Sequence, residues 1–386
     1  MGTIFRIANR EIKRLFSGRI YRFCLFFVPL FSCLFFLSLM HQGLPVKLPI
    51  AVVDLDNTVS SRSLVRQLDR MEGIEVAAEY SAFNWAQTEM QKGNIYGIFF
   101  IPRHFAQETV SGKQPVLSFY TNNSYLMAAS LTFKDMKTTA TLAAGAVALQ
   151  TGRAKGYSDK QIMANVQPVV IESHPIGNPW LNYSVYLNNV ILPGILALMI
   201  MCITVYSIGI EIKEKTVWEW LPSEKSSIIP PLIGKLLPQT ILFLIVGLLL
   251  FFILYIGLQF PMNGNFGNMI VALFLLIVSS QALGLFMIGC FPTLRLGLSF
   301  ACLFGMLAFS ISGFSFPVNA MYPQMQALSN VFPLRHYFLI YVDQALNGRA
   351  LFYSWPHYLA LFGFLVLPFL ILRNLSWSLK YAPYKP

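Results

Sequence analysis

The chain has 386 residues and a net charge of +11, with 55% hydrophobic and only 12% charged residues. A soluble domain carries roughly 25% charged residues, so this composition excludes a disordered chain and disfavours an ordinary soluble globule. Six basic residues and one acid fall within residues 1–22. A basic stretch beside an apolar run indicates membrane orientation, whereas an evenly basic surface would indicate nucleic-acid binding.

Residues 1–21 are predicted to form an amphipathic interfacial helix. At helical spacing, residues 4–19 place apolar side chains on one face and basic side chains on the other, a pattern typical of a helix lying along the inner leaflet. Glu11 falls inside the apolar arc, so it is either a snorkelling surface carboxylate or a buried ion-pair partner for a neighbouring intracellular element. The apolar run 22–40 is predicted as the first transmembrane helix, an uncleaved signal-anchor.

Residues 41–185 are predicted to form an extracytoplasmic α/β domain. Four β-like runs alternate with helical stretches, a pattern typical of βαβ units. These runs are Leu48–Val53, Ile74–Tyr80, Tyr96–Ile101 and Val116–Tyr120. The segment Asp54-Leu55-Asp56-Asn57 looks like a metal loop, but it lacks the glycine and the distal glutamate of a calcium loop. We therefore interpret it as a strand-end turn.

Residues 186–373 are predicted to contain five more transmembrane helices, because a span needs about 20 mostly apolar residues. These helices cover 186–209, 236–258, 269–289, 296–314 and 355–372. We expect no charged residue in the interior of any span. The segment 315–354, between the last two spans, is predicted as an outer re-entrant segment of two short helices.

Basic residues in short loops mark the cytoplasmic side. The loop 210–235 and the tail 374–386 are therefore predicted inside, together with the N-terminus. The basic residues concerned are Lys213, Lys215, Lys225, Lys235, Lys380 and Lys385. The predicted fold is thus an α-helical membrane protein with six transmembrane helices and an α/β extracytoplasmic domain inserted between the first and second spans.

Sequence motifs for catalysis and metal binding are missing from the chain. It has no G-x-x-x-x-G-K-[ST] phosphate loop, no H-E-x-x-H zinc motif and no paired cysteines at metal-ligand spacing. We therefore expect no catalytic residue and no metal ligand. The basic loop instead alternates charges from Glu211 to Glu219 and carries two tryptophans, Trp218 and Trp220, directly after a span.

This loop resembles the cytoplasmic element of the ABC type-2 exporter permeases, whose pattern is roughly E-x-x-x-G-T-x-E-x-L. Thr216 matches that pattern, and Glu219 and Leu221 match it with one extra residue after Thr216, whereas Lys215 stands where the family usually has glycine. The difference at Lys215 leads us to expect a different local turn.

The outer segment and the layout of the chain are also similar to this family. Ser312–Pro323 matches the pattern S-G-x-x-F-P-x-x-x-M-P with one extra residue, and Pro333 and Tyr337 match P-x-x-x-Y. The family has an amphipathic N-terminal helix, a first span, a large outer domain and five more spans. The version with a large outer domain resembles bacterial inner-membrane exporters that work with a periplasmic adaptor and an outer-membrane duct.

The resemblance implies a permease subunit, and not an enzyme, that moves a hydrophobic or amphiphilic substrate out of the cytoplasm or the inner leaflet. It implies a separate ABC ATPase that binds ATP and Mg, with no cofactor in this chain. It also implies a second permease chain, identical or paralogous, and an adaptor with its duct. The implied location is the bacterial inner membrane, in contact with lipids.

Three sets of candidate site residues follow. The site that would couple the permease to the ATPase comprises Glu211, Glu214, Thr216, Glu219, Trp220 and, from the N-terminal helix, Glu11. The translocation path, between the second and fifth spans of two protomers, would be lined by Leu187, Val190, Met199, Phe300, Phe304, Met306 and Phe309. The outer gate would comprise Gly313, Phe314, Phe316, Pro317, Met321 and Pro323.

Two other classes of function are compatible with a multi-pass chain. An ion-coupled secondary transporter would require intramembrane carboxylates or a repeat between the two halves of the chain. A membrane-anchored sensor would use the outer domain as its ligand binder, and six spans exceed what an anchor needs. Transport that depends on an ATPase partner would indicate the ABC exporter, whereas transport that depends on a proton gradient would indicate the secondary transporter.

Overall fold

The computed structural model describes residues 2–221 and 227–381, so Lys225 and Lys385 lie outside the described ranges. The chain is mostly helical, at 71%. Two compact units make up the chain, namely Leu44–His174 and a unit that joins Met1–Gly43 to Pro175–Pro386. Each unit is described by itself below.

Among the described residues, six helices are long and apolar enough to cross a membrane. In chain order, the first to sixth spans are Arg19–Leu39, Tyr183–Glu214, Ile229–Gly257, Phe266–Cys290, Leu294–Ile311 and Leu351–Tyr381. Helix α1 (Gly2–Ser17) precedes the first span. Gly18 separates the two because its backbone is extended there, with a ψ of 129°.

The unit Leu44–His174 contains a four-stranded sheet in the order β2-β1-β3-β4. The strands are β1 (Leu48–Asp54), β2 (Ile74–Glu79), β3 (Gly97–Ile101) and β4 (Ser118–Thr121). β1 pairs in parallel with β2 and β3, and β4 pairs antiparallel with β3. The helices are α2 (Val59–Asp69), α3 (Phe83–Lys92), α4 (Phe105–Val110), α5 (Leu126–Ala154) and α6 (Asp159–Val166). The sheet therefore follows the four predicted runs.

The apolar sequence of β1 explains its central place in the sheet. Ile50, Ala51, Val52 and Val53 are all fully buried. Ile50 and Val52 pack on one face, against α2 and α5, while Ala51 and Val53 pack on the other, against α3. A strand that is covered on both faces requires a continuous apolar run rather than an alternating one.

The turn after β1 is held by the carboxylate of Asp54. This carboxylate accepts hydrogen bonds from the backbone N–H groups of Asp56 and Asn57, at 3.0 and 3.1 Å. It also accepts one from the buried hydroxyl of Ser61, at 2.6 Å. The predicted strand-end turn is confirmed, because the carboxylate of Asp54 is committed to the turn itself.

The second and third spans are longer than the sequence indicated. The second span continues to Glu214 rather than ending at residue 209, and the third begins at Ile229 rather than at residue 236. Glu211 and Lys235 consequently lie inside these helices. The expectation that no span contains a charged residue in its interior is wrong at Glu211 and Lys235, because the two charges pair with each other and the helices continue past them. It is also wrong at Arg373, because the sixth span extends to Tyr381.

The sixth span and the outer segment also differ in their bounds. The sixth span begins at Leu351 rather than at residue 355 and runs to Tyr381, which includes part of the predicted tail. Pro368 lies in the first turn of its second half, Leu367–Tyr381, where a missing backbone N–H breaks no helical hydrogen bond. The outer segment contains two short helices, α7 (Pro323–Ser329) and α8 (Pro333–Tyr341).

Small residues allow the second span to pack closely against its neighbours. A Cβ added at Gly305 of the fifth span would lie 2.4 Å from Cδ1 of Leu198. A Cβ at Gly284 of the fourth span would lie 2.9 Å from Cβ of Thr204. Close approach through glycine is a general feature of helix packing in membranes, and here it makes the second span the centre of its unit.

We predict that Ser61→Ala destabilises β1 and α2 of the unit Leu44–His174, called the sheet unit below. The change removes the hydroxyl that donates to Asp54 and that also closes the capping box of α2 with Thr58. Loss of such a buried hydrogen bond costs about 1–3 kcal/mol. Faster hydrogen–deuterium exchange of β1 and α2 in the intact chain would report this loss. Ser60→Ala, at the exposed neighbouring position, is the control, and equal exchange in both variants would contradict the prediction.

Candidate functional site at the N-terminal helix

Helix α1 packs along the beginning of the third span. Its apolar side chains Ile7 and Leu15 are buried, and Gly234 of the third span permits the contact. A Cβ at Gly234 would lie 2.9 Å from the carbonyl oxygen of Ile4. The amphipathic face of α1 therefore covers protein of its own unit.

The carboxylate of Glu11 lies in the centre of this contact. It is fully buried, and one of its oxygens lies 2.8 Å from Nζ of Lys235. The amide of Gln239 donates to its other oxygen at 3.2 Å. Of the two interpretations of Glu11, the buried ion-pair partner is the one that the structure contains.

Glu211 of the second span connects the same lysine to α1. Nζ of Lys235 lies 2.9 Å from its carboxylate, and Nη1 of Arg10 lies at the same distance. Arg14 and the hydroxyl of Thr216 donate to this carboxylate as well. Four donors therefore converge on one fully buried carboxylate, and they come from α1, the third span and the turn that follows the second span.

The outer part of this ion-pair cluster reaches the surface of the protein. Nη2 of Arg10 lies 2.6 Å from the carboxylate of Glu219, and Nη2 of Arg14 lies 3.7 Å from that of Glu214. Glu214 and Glu219 are both exposed. The cluster thus extends from a buried lysine to two carboxylates that are open to contact from outside.

Charge balance explains why these groups are tolerated in an apolar surrounding. A buried ion is costly unless it is paired and hydrogen-bonded. Burial opposes the charge of Arg10, but its hydrogen bonds to Glu211 and Glu219 and their negative charges outweigh that effect and raise its pKa. Lys235 gains a further contact because its Nζ lies 5.5 Å from the ring centroid of Trp220.

A left-handed residue follows the second span. Lys215 has φ 59° and ψ 29°, a conformation that glycine adopts without strain. Lys215 thus holds, with a side chain, a backbone conformation that favours the glycine of the family pattern. The turn brings Thr216 back onto Glu211 and leads into a 3₁₀ turn, Val217–Glu219.

The predicted coupling residues fall into two groups. Glu11, Glu211, Thr216 and Glu219 belong to the ion-pair cluster, and Glu214 lies at its exposed edge. Trp220 is instead fully buried. The neighbouring Trp218 is 47% exposed, so it is the tryptophan that a partner would meet.

The sequence reasoning missed four members of the ion-pair cluster, Arg10, Arg14, Lys235 and Gln239. The signal that could have found the arginines is their spacing, because residues three or four apart share one face of a helix. Arg10 and Arg14 flank Glu11 within a little over one turn. Lys235 lies in a loop if hydropathy alone sets the start of the third span, so the sequence pattern gives it no buried partner.

The residues predicted for the translocation path are not gathered in one place. Val190, Phe304 and Phe309 belong to one apolar cluster with Phe314, predicted for the outer gate, and this cluster is formed by the second span, the fifth span and the outer segment of the same chain. Phe300 stacks elsewhere, on Phe291 at 4.3 Å between ring centroids. Leu187 and Met199 are partly buried, and Met306 is 65% exposed. Phe300 and Met306 are therefore the predicted path residues with the most free surface.

The residues predicted for the outer gate follow the fifth span directly. Gly313 has φ 102° and turns the chain, and the carbonyl of Phe314 accepts a hydrogen bond from the hydroxyl of Tyr186. Phe316 and Pro317 are exposed, Met321 is partly buried, and Pro323 begins α7. The hydrogen bond from Tyr186 joins this segment to the second span.

Comparison with known proteins gives one family match. The family model described as ABC-2 family transporter protein matches residues 19–373 of the chain. No curated protein matches it. The matched range includes all six spans except the end of the last one, the sheet unit and both segments that carry the motifs.

We predict that Glu11 and Lys235 are strongly coupled. Lys235→Met leaves the carboxylate of Glu11 buried without a cation, and loss of one partner of a buried pair costs about 3–5 kcal/mol. Glu11→Leu combined with Lys235→Met leaves neither group behind, so the double variant should regain about 1–3 kcal/mol relative to additive costs. Thermal unfolding in detergent of Lys235→Met, Glu11→Leu and the double variant measures this coupling.

The control for this set of variants is Lys213→Met. Lys213 is exposed and forms no hydrogen bond or ion pair with another described residue, so its loss should change the stability by less than about 0.5 kcal/mol. Strictly additive costs in the double variant would mean that the two buried groups do not stabilise each other.

We also predict that Lys215→Gly stabilises the protein. The left-handed conformation costs a residue with a side chain about 1–2 kcal/mol, and glycine avoids most of that cost. Lys213→Gly is the matched control, because glycine in the helix before the turn costs about 1 kcal/mol. The midpoint temperature of thermal unfolding should rise for Lys215→Gly and fall for Lys213→Gly. An equal fall in both variants would mean that the left-handed conformation of Lys215 does not cost stability.

Proposed function

The chain belongs to the ABC-2 transporter family, because the family model spans most of its length, and we propose that it is the transmembrane permease subunit of an ATP-driven exporter. A separate ABC ATPase would supply the energy and would bind ATP and Mg. The chain itself would be a transport subunit without its own ATPase site.

The observation that carries the proposal is the ion-pair cluster around Glu211. It ties α1 to the second and third spans by charged hydrogen bonds. Directly beside it lies an exposed surface of Glu214, Trp218 and Glu219. A partner that pushed on this surface would move both spans and α1 together, because the cluster leaves them little freedom to move separately.

The chemistry of this surface suits a protein partner. Trp218 offers a large apolar side chain, and aromatic residues often dominate the binding energy of interfaces. Glu214 and Glu219 offer carboxylates to basic groups of the partner, which fixes its orientation. We propose that this surface receives the ATPase and that Trp218, rather than the buried Trp220, forms its main contact.

The remaining features of the proposal rest on composition and on the family resemblance. An apolar set of spans fits a hydrophobic or amphiphilic substrate that leaves the cytoplasm or the inner leaflet. The basic flanks favour a bacterial inner membrane with both termini in the cytoplasm and the sheet unit outside. A second permease chain, identical or paralogous, would complete the pump. A periplasmic adaptor and an outer-membrane duct would join the sheet unit.

An ion-coupled secondary transporter is the second candidate, since Glu11 and Glu211 are buried carboxylates. Both are paired with Lys235, however, and Glu211 also with two arginines. A carboxylate that carries a coupling ion must be able to release its present partners. The fixed pairing therefore supports a mechanical role for these groups.

We predict that Trp218→Ala separates the permease from its ATPase. Truncation of a central interface tryptophan costs about 2 kcal/mol or more, which weakens binding roughly 30-fold. Co-purification of the tagged chain with its ATPase in mild detergent, followed by an ATP hydrolysis assay, would measure this. Trp85→Ala, at an exposed tryptophan of the sheet unit, is the matched control.

Two outcomes would count against the proposal. Retention of the ATPase by Trp218→Ala at wild-type level would show that the contact surface lies elsewhere. Purification of the folded wild-type chain without any ATPase would contradict the proposal that the chain is part of an ATP-driven exporter. Transport driven by a proton gradient would then support the secondary transporter, and ligand binding by the sheet unit would support the sensor.

A further inference from the structure

A second feature of the N-terminal region is an apolar groove along the exposed face of the first span, next to α1. It has a volume of about 610 Å³, within the range of roughly 300–1,000 Å³ that is usual for small-ligand pockets. Its apolar lining consists of Phe16, Phe26, Phe27, Leu30, Phe31 and Leu34. Arg22 lies at one end and is the only charged residue in the lining.

The groove arises where the helix changes direction. Gly18 breaks the helix between α1 and the first span, so that Phe16 of α1 and Phe26 of the span stack at 6.1 Å between ring centroids. The residues Phe23–Phe27 form a π-helical turn. Such turns occur often at functional sites, and this one lies at the end of the groove that carries Arg22.

The basic residues of this region divide into two sets. Arg10 and Arg14 are used inside the protein by Glu211 and its neighbours. Arg6, Lys13, Arg19 and Arg22 are exposed, and none of their four side chains forms a hydrogen bond or an ion pair with a residue that the structure describes. A cluster of free basic side chains beside a membrane span attracts anionic lipid.

We propose that the groove binds one anionic phospholipid from the leaflet that contains α1. An acyl chain lies along the apolar lining, and the phosphate pairs with Arg22. From Arg22 to Leu34 the helix rises about 18 Å, which matches about half of a hydrocarbon core of roughly 30 Å. The groove thus has the length, the apolar lining and the terminal positive charge that one such lipid requires.

A second copy of the chain is a poorer occupant of this groove. In a two-fold contact the same surface is presented from both sides. The partner would bring its own Arg19 and Arg22 towards this face, and no described carboxylate lies in the groove lining to neutralise them. The proposal requires only that the chain lies in a membrane, so it is independent of the proposed coupling to an ATPase.

Native mass spectrometry of the intact chain tests the proposal. The protein is reconstituted with equal amounts of phosphatidylglycerol and phosphatidylcholine and is then released into detergent. The wild type should retain one phosphatidylglycerol in preference to phosphatidylcholine. Arg22→Gln should lower that retention about fivefold, since one basic side chain near a lipid surface contributes about that factor. Leu30→Trp should also lower it, because the larger side chain fills the groove.

The controls decide between the proposal and its alternatives. Arg6→Gln removes a free basic residue outside the groove and should leave retention unchanged. Equal loss in Arg6→Gln would mean unspecific charge attraction, and equal retention of both lipids in the wild type would mean no headgroup recognition. A disulfide between two copies of Phe27→Cys in the membrane would mean that a second chain fills the groove. Each of these three results overturns the proposal, and either groove variant suffices if the other fails to fold.

Discussion

The charge of one buried carboxylate constrains the arrangement of three helices in this protein. Glu211 is fully buried near the end of the second span, where an unpaired ion would be very costly. Its charge is offset by donors from α1, from the third span and from the turn that follows it. None of these elements can shift without exposing a charge to apolar surroundings, so electrostatics fixes a geometry that apolar packing alone would leave looser.

Packing around the second span serves a different purpose. Glycines such as Gly284 and Gly305 let helices approach closely, which provides dispersion contacts but little directional preference. The ion-pair cluster at one end adds direction because hydrogen bonds require particular partners and angles. In the interior of the unit, dispersion contacts hold the helices close together without fixing their relative orientation. At one end, the hydrogen bonds of the ion-pair cluster do fix it, and that end adjoins the surface we assign to the ATPase.

The sequence was most informative where each residue has a simple environment. The fully apolar β1 and the Asp54 turn could be predicted because local chemistry decides them. The continuation of the second and third spans past Glu211 and Lys235 could not be predicted, because hydropathy treats each charge as a boundary and does not register that distant charges cancel. Trp220 was misjudged for a similar reason, since nothing near it in the sequence shows that its ring covers Lys235.

The ion-pair cluster could be predicted only in part from the sequence. Thr216 and Glu219 were recognised through the family pattern, whereas Arg10 and Arg14 became visible only when α1 was placed against the third span. Glu11 was noticed because it interrupts an apolar arc. An anomaly of this kind signals that a partner exists, but the partner is separated from it by 224 residues, and no local pattern identifies it.

That separation has a consequence for biosynthesis. Helix α1 is made long before Lys235, and at about 5–20 residues per second the intervening chain takes roughly 10–45 s to synthesise. During this interval Glu11 has no lysine to pair with, and the apolar face of α1 has no third span to cover. We expect the helix to lie at the membrane surface during this interval, because its amphipathic pattern suits an interface, and to become an internal element only later. On this view the same residues first bind the nascent chain to the membrane surface, and they later join α1 to the third span through the pair of Glu11 and Lys235.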